Sequence, residues 1–393
     1  MKTQQPQSAD AVFSSDNGPR LNILSLAYRE WPLLGSIATT VAFLAFGQQW
    51  LADLSNPIWF AFILVWLFGV VLFSAFAVVR HAEVVAIKLG EPLGTLVLTL
   101  SVTGIEVMMI AAVMYTAQGG SSLARDAMFA VVMIVLNGMV GLSLLLGGLR
   151  YHEQTYNLQG ANAFLAVIVP LAVLGLILPN FTTSSPGPTL SPSQAVFLIV
   201  MSIGLYGVFL AIQNLRHRNY FVSPESGDVE AGPPHGDGDA CERCSVGYHT
   251  LFLLMYLAPL VILSKQMAVP INFAIHEWHA PSALGGFLVA VLILAPESLG
   301  AARAALANQL QRSVNVLLGS VLATISLTIP AVLTIGFLTG KTITLGLGPV
   351  DMTLLLLTLG ISTLTFGSSR TNVLLGAVHL LLFLAYLMLI FEG

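Results

Sequence analysis

The sequence predicts an all-α, polytopic membrane protein with about eleven transmembrane helices, two inverted five-helix repeats and one extra N-terminal helix. Three observations predict it. Hydrophobic residues make up 56% of the 393 and charged residues only 9%, too few to give a soluble domain its polar surface. Apolar stretches of about 20 residues, enough at ~1.5 Å per residue to cross a ~30 Å hydrocarbon core, recur along the whole length. Two of these stretches, far apart in the chain, carry a glutamate at matching places.

Taken in order, residues 1–32 are a polar tail without the charged, apolar and small-residue pattern of a cleaved signal, so no cleavage is expected. Residues 33–56 hold the first span, 33–52, which falls outside the repeats. The first repeat, 57–214, contains spans at 57–79, 93–115, 127–148, 162–180 and 194–214. An acidic hydrophilic linker, 215–248, divides the chain. The second repeat, 249–393, contains spans at 249–268, 283–303, 313–338, 350–367 and 372–391. These runs are apolar on all faces, whereas a barrel strand is about ten residues of alternating character.

Orientation follows from Lys and Arg, which cytoplasmic loops retain. With the N-terminus inside, twelve of the 15 basic residues fall on the cytoplasmic side, leaving only Arg125, Lys265 and Lys341 outside. The expected placement is the inner (cytoplasmic) membrane, multi-pass, with the N-terminus cytoplasmic and the C-terminus outside. A net charge of -4 says little about partners in so buried a chain, and no nucleic-acid partner is expected. The expected partners are the bilayer and small inorganic cations, with the oligomeric state left open.

The two halves repeat. "GTLVLTLSVTGIE" (94–106) and "GGFLVAVLILAPE" (285–297) each open on Gly and reach Glu twelve residues later. Each is followed, after a loop with Arg125 or Arg312, by a helix rich in small and hydroxyl residues, "RDAMFAVVMIVLNG" or "RSVNVLLGSVLATI". The copies begin at helices three and eight, an odd offset, so the second enters the membrane from the opposite side. Inverted repeats place a binding site near the midplane where the copies meet. Gly104 before Glu106 and Pro296 before Glu297 lead us to expect unwound backbone beside each acid.

An unpaired acid at a helix centre costs roughly 2.5–3.5 kcal/mol on insertion scales. No Lys or Arg lies in the core of any span to pair with Glu106 or Glu297. The acids therefore stay protonated, bind a cation, or alternate between the two, and alternation is an antiport mechanism. The nearby groups are oxygens: the hydroxyls of Thr99, Ser101, Thr103, Ser298, Ser320 and Thr324, and the amide of Asn137. Such a set suits a hard cation, with calcium the first expectation and sodium the alternative. No cofactor is expected.

At these residues the chain resembles a known family. "RHAEVVAIKLGEPLGTLVLTLSVTGIEVMMIAAVM" (80–114), "LNGMVGLSLLLGGLR" (136–150) and "LAPESLGAARAALANQLQRSVNVLLGSVLATISLTIPAV" (294–332) are similar to the calcium/proton antiporter branch of the cation/calcium exchanger superfamily, in its ChaA-type bacterial form. The resemblance implies a secondary antiporter that exports calcium against protons by alternating access. It places Glu106 and Glu297 on the paired ion-binding glutamates. Asn137 falls on the Asn of a Gly-Ser-x-x-Ser-Asn stretch, and Gly319 and Ser320 fall on the second repeat's Gly-Ser. Glu83 falls on an acidic residue that follows helix two. The chain departs from the family's Gly-Asn before each glutamate, holding Val102 and Thr103 in one copy and Ile293 and Leu294 in the other, so two amide ligands are missing. ChaA-type proteins are credited with monovalent exchange as well.

Further signals are local. His81, Glu83 and Glu91 at the cytoplasmic end of the helix two to three region are candidates for proton or cation entry. The linker acids sit among Gly and Pro and read as a disordered, solvated stretch. Cys241 and Cys244 form a lone CxxC, only half of a zinc spacing. "HEWH" (276–279) has the wrong spacing for HExxH and reads as an outer interface with Trp278 in the aromatic belt. An intramembrane enzyme is the remote alternative. It would need a nucleophile–base pair or metal triad, and neither HExxH nor GxSG occurs, so the chain is not expected to be an enzyme.

Overall fold

The computed structural model describes residues 30–90, 93–116, 122–223 and 245–392. Within them the chain forms eleven helices: α1 (Trp31–Trp50), α2 (Pro57–Leu89), α3 (Leu93–Thr116), α4 (Leu123–Tyr151), α5 (Leu158–Asn180), α6 (Pro192–Arg216), α7 (Val246–Glu277), α8 (Ala283–Leu306), α9 (Leu310–Thr339), α10 (Pro349–Thr365) and α11 (Val373–Glu392). Nine of these are long and apolar enough to cross a membrane by the described residues alone. The sheet content is two antiparallel two-residue strands, β1 (Gln154–Thr155) and β2 (Arg370–Thr371). The tail to residue 29, Glu91, and the linker with Cys241 and Cys244 lie outside the described residues.

Two helices run well past their apolar runs. α2 continues ten residues beyond 79 to Leu89, and α7 continues from 268 to Glu277. The extension of α2 persists because its polar residues find partners. Glu30, at the N-cap of α1, accepts from Arg80 at 2.9 Å, lies 3.4 Å from His81, and accepts from Tyr248 at 3.1 Å and Tyr256 at 3.0 Å on α7. His81 in turn lies 2.9 Å from His249, nitrogen to nitrogen. Burial alone pushes the Glu30 carboxyl up, but the His81 hydrogen bond and the Arg80 charge outweigh it and hold the group at about 2. The extra helix is thus tied by one buried ion cluster to α2 and α7, and an aromatic group of Phe43, Trp50 and Trp66 packs the α1–α2 contact further along.

α4 and α9 are the central helices. Both are largely buried, whereas α6 and α11 lie exposed at the periphery. Small residues let backbones touch there. A Cβ on Gly286 of α8 would stand 2.7 Å from the Ala127 nitrogen of α4, and one on Gly141 of α4 would stand 2.9 Å from the Leu380 nitrogen of α11. Both central helices carry a π-helical turn, Ile134–Met139 in α4 and Thr324–Thr328 in α9. Such turns widen the helix by one residue and recur at functional sites.

The unwound backbone expected beside the glutamates is not present. α3 is helical through Gly104 and Glu106, and α8 is helical through Pro296 and Glu297. One proline removes a single ladder hydrogen bond, and packing on α4 and α9 keeps the rest of α8 intact. The irregular backbone lies instead on the partner helices.

Candidate functional site

α3 carries Glu106 and α8 carries Glu297, and each helix packs against the π-helical turn of the other half: α3 on Thr324–Thr328, α8 on Ile134–Met139. The two carboxylates thereby line one cavity of about 270 Å³. Glu106 lies at the buried end, 2% exposed. Its Oε2 accepts from the Thr324 hydroxyl at 2.8 Å, while its Oε1 is buried with no hydrogen-bond partner. Glu297 accepts from the Ser320 hydroxyl at 2.5 Å. Thr99 and Thr103 line the same space.

The cavity extends to one face of the bundle, where the end of α2, the end of α6 and the start of α9 contribute Glu83, Gln213 and Arg312. Glu83 stands within charge reach of both Arg312 and Glu297. Three carboxylates thus line one cavity, exposed at Glu83, partly buried at Glu297 and buried at Glu106.

Not all the expected residues converge. Ser298 donates back to the Leu294 carbonyl at 2.6 Å, with the Met139 sulfur at 3.1 Å, and Ser101 donates back to Val97 at 2.7 Å. Both hydroxyls are satisfied by their own helices. Asn137 is fully buried, but its amide turns to Thr358 at 2.8 Å and His379 at 3.2 Å, on α10 and α11. His81 belongs to the Glu30 cluster and not to the cavity lining.

Sequence reasoning missed two features. The buried Thr328 hydroxyl stands beside the Glu106 carboxylate, close enough to interact with it but short of full hydrogen-bond geometry. It sits four residues after Thr324, the spacing that brings side chains onto one helix face, which is the signal that would have found it. At the opposite end of the bundle a second pocket, about 360 Å³, holds Asp126, Asp351 and Tyr386. There Arg125 pairs with Asp126 at 2.8 Å and donates to the Gly346 carbonyl at 3.1 Å. The adjacent Arg-Asp at the start of α4 was its only local sign.

The chemistry available at the glutamates is narrow. Two carboxylates with hydroxyl donors, and among the described residues no ion pair of either with Lys or Arg, offer hard oxygen to a cation or a base to a proton. The Oε1 of Glu106 and the Thr328 hydroxyl are buried oxygens without a full hydrogen bond, a feature that calls for a physical account at a functional site.

The chain is similar to known ion exchangers. Residues 59–215 and 248–392 match the family model described as sodium/calcium exchanger protein. The sodium-potassium/proton antiporter ChaA of Escherichia coli (strain K12) is 42% identical over 342 residues, 87% of this chain and 92% of that one. The Ca(2+)/H(+) antiporter of Aphanothece halophytica is 24% identical over 308 residues, 76% of this chain and 81% of that one. Among solved structures, native YfkE superposes with a TM-score of 0.68 at 16% identity, covering 92% of this chain and 100% of that one. The H+/Ca2+ exchanger CAX superposes at 0.62 with 15% identity, covering 91% and 88%. At such identities the structural likeness is one of fold.

Proposed function

The chain belongs to the sodium/calcium exchanger protein family, and from that premise we propose that it exports calcium from the cytoplasm in exchange for protons. Glu106 and Glu297 bind the cation and the protons in turn. One observation carries the proposal: a glutamate from each half of the chain faces a single cavity, and a buried carboxylate oxygen there has no partner. Two carboxylates are neutralised by one divalent ion or by two protons. Either loaded state can cross the low-dielectric midplane, while the empty dianion is penalised.

The excess of Lys and Arg at the Glu83 face supports a cytoplasmic assignment for it, so the cavity as described faces the cytoplasm. Glu83 attracts the ion at the mouth. Glu106 and Glu297 take it, releasing protons, and the inverted halves exchange access. An inward proton gradient then drives the cation out.

Sodium or potassium as the main cargo is the second reading. It is favoured by the name of the 42% identical relative and by the Asn137 amide lying off the site. Inverted membrane vesicles with an imposed pH gradient separate the two readings. Calcium at micromolar concentration should collapse the gradient in the wild type; a response to sodium or potassium alone would overturn calcium as cargo.

A further inference from the structure

Asn137 and Thr324 hold corresponding places. Each lies in the π-helical turn of the helix that follows a glutamate helix, and each is twelve residues beyond the arginine near that helix's start, Arg125 or Arg312. Their side chains behave oppositely. Thr324 donates to the glutamate of the other half, Glu106, at 2.8 Å. Asn137, next to α8 through its own turn, makes the corresponding approach to Glu297 impossible, because its amide is held elsewhere.

With the Asn137 amide oxygen facing His379, the holding network has the following proton arrangement. The Asn137 Oδ1 only accepts, so His379 carries its proton on Nδ1, 3.2 Å away. The Nε2 of the neutral ring then accepts from the Thr365 hydroxyl at 2.9 Å. The Asn137 Nδ2 donates to the Thr358 hydroxyl at 2.8 Å. All four residues are 0% exposed, so no water substitutes for these bonds from outside. The π-helical turn also brings the Leu136 carbonyl toward His379, a second acceptor for the ring when Asn137 leaves.

We propose that His379 and Thr358 are positioning residues that hold the Asn137 amide off the ion site while the cavity is open at the Glu83 end. Asn137 turns onto Glu297 when the opposite end opens. In this state Thr324 serves Glu106 and Asn137 is withdrawn; in the other, the two halves exchange roles, as their inverted relation requires. The amide carbonyl is a hard oxygen ligand, so its arrival raises the cation's coordination as access changes. The inference deepens the Glu106–Glu297 reading and rests on it.

The test reads conformation and not transport. In full-length protein with Cys241→Ser and Cys244→Ser, Gly300→Cys places a thiol at an open position lining the cavity. A membrane-impermeant maleimide, applied to inverted vesicles, reports how often the cavity is open. Thr358→Val keeps the shape and removes the acceptor for Asn137. It should slow labelling roughly fivefold to tenfold, the worth of about one lost buried hydrogen bond. His379→Gln retains a donor to Asn137 and should slow it less. With Asn137→Ala added, Thr358→Val should change nothing further. Unchanged labelling in Thr358→Val, or an equal slowing in the Asn137→Ala background, overturns the proposal. Failure of the glutamate reading would appear separately, as proton flux surviving Glu106→Gln, with the labelling result intact.

Discussion

Replacing Glu106 with Gln changes one atom of the site. The Thr324 hydroxyl keeps its acceptor, because the amide oxygen can take the place of Oε2, so helix contact and folding are preserved. The amide NH₂ then occupies the position of the unpaired Oε1 and presents hydrogens where a cation would find a lone pair. One unit charge at ~4 Å from a cation is worth about 4 kcal/mol at an effective dielectric constant near 20, and about twice that for a divalent ion. About 4 kcal/mol is roughly a thousandfold in affinity. Exchange driven by calcium should therefore fall below detection, and any sodium or potassium exchange should fall less steeply. The assay is proton movement in inverted vesicles, read by a pH probe after addition of each ion, with protein amount matched on blots. Calcium-driven exchange within tenfold of wild type would refute the reasoning and return Glu106 to a structural role.

Further outcomes follow from the same geometry. Ser320→Ala removes a charge-assisted hydrogen bond of 2.5 Å to Glu297, worth roughly 1.5–3 kcal/mol, and should raise the half-saturating cation concentration about tenfold or more in the vesicle assay. Glu30→Gln breaks the cluster joining α1, α2 and α7 and should lower the thermal midpoint of detergent-solubilised protein at neutral pH. Because the Glu30 carboxyl is held at about 2 against an ordinary 4.5, its stabilisation is fully present above pH 4.5 and is lost as pH falls toward 2. The wild type and Glu30→Gln midpoints should therefore converge on acidification. Gly286→Ala places a methyl 2.7 Å from the α4 backbone and should slow turnover and lower the midpoint together, both measurable on one preparation.

Much of this fold was legible because hydrocarbon demands long apolar runs, and all eleven expected runs coincide with observed helices. The sequence also singled out Glu106 and Glu297 before any coordinates, since an acid in such a run has few inexpensive reasons to be there. What periodicity does not carry is side-chain rotation. Asn137 and Thr324 share a register, yet one turns to α10 and α11 and the other to Glu106. That difference depends on which helices flank each turn. Ser298, adjacent to Glu297, read as a ligand by sequence distance but satisfies itself on Leu294. The Glu30 cluster joins residues 30, 80, 81, 248 and 256, a pairing no local pattern announces.

The central claim is that the same two carboxylates hold the cation and the protons. Isothermal titration of calcium into the purified protein, repeated in buffers of different ionisation enthalpy, counts the protons released per ion bound. The account predicts proton release that accompanies binding in the wild type and is reduced, with affinity, in Glu106→Gln and in Glu297→Gln. Calcium binding of wild-type affinity with no proton released, or with release unchanged in both variants, would contradict it.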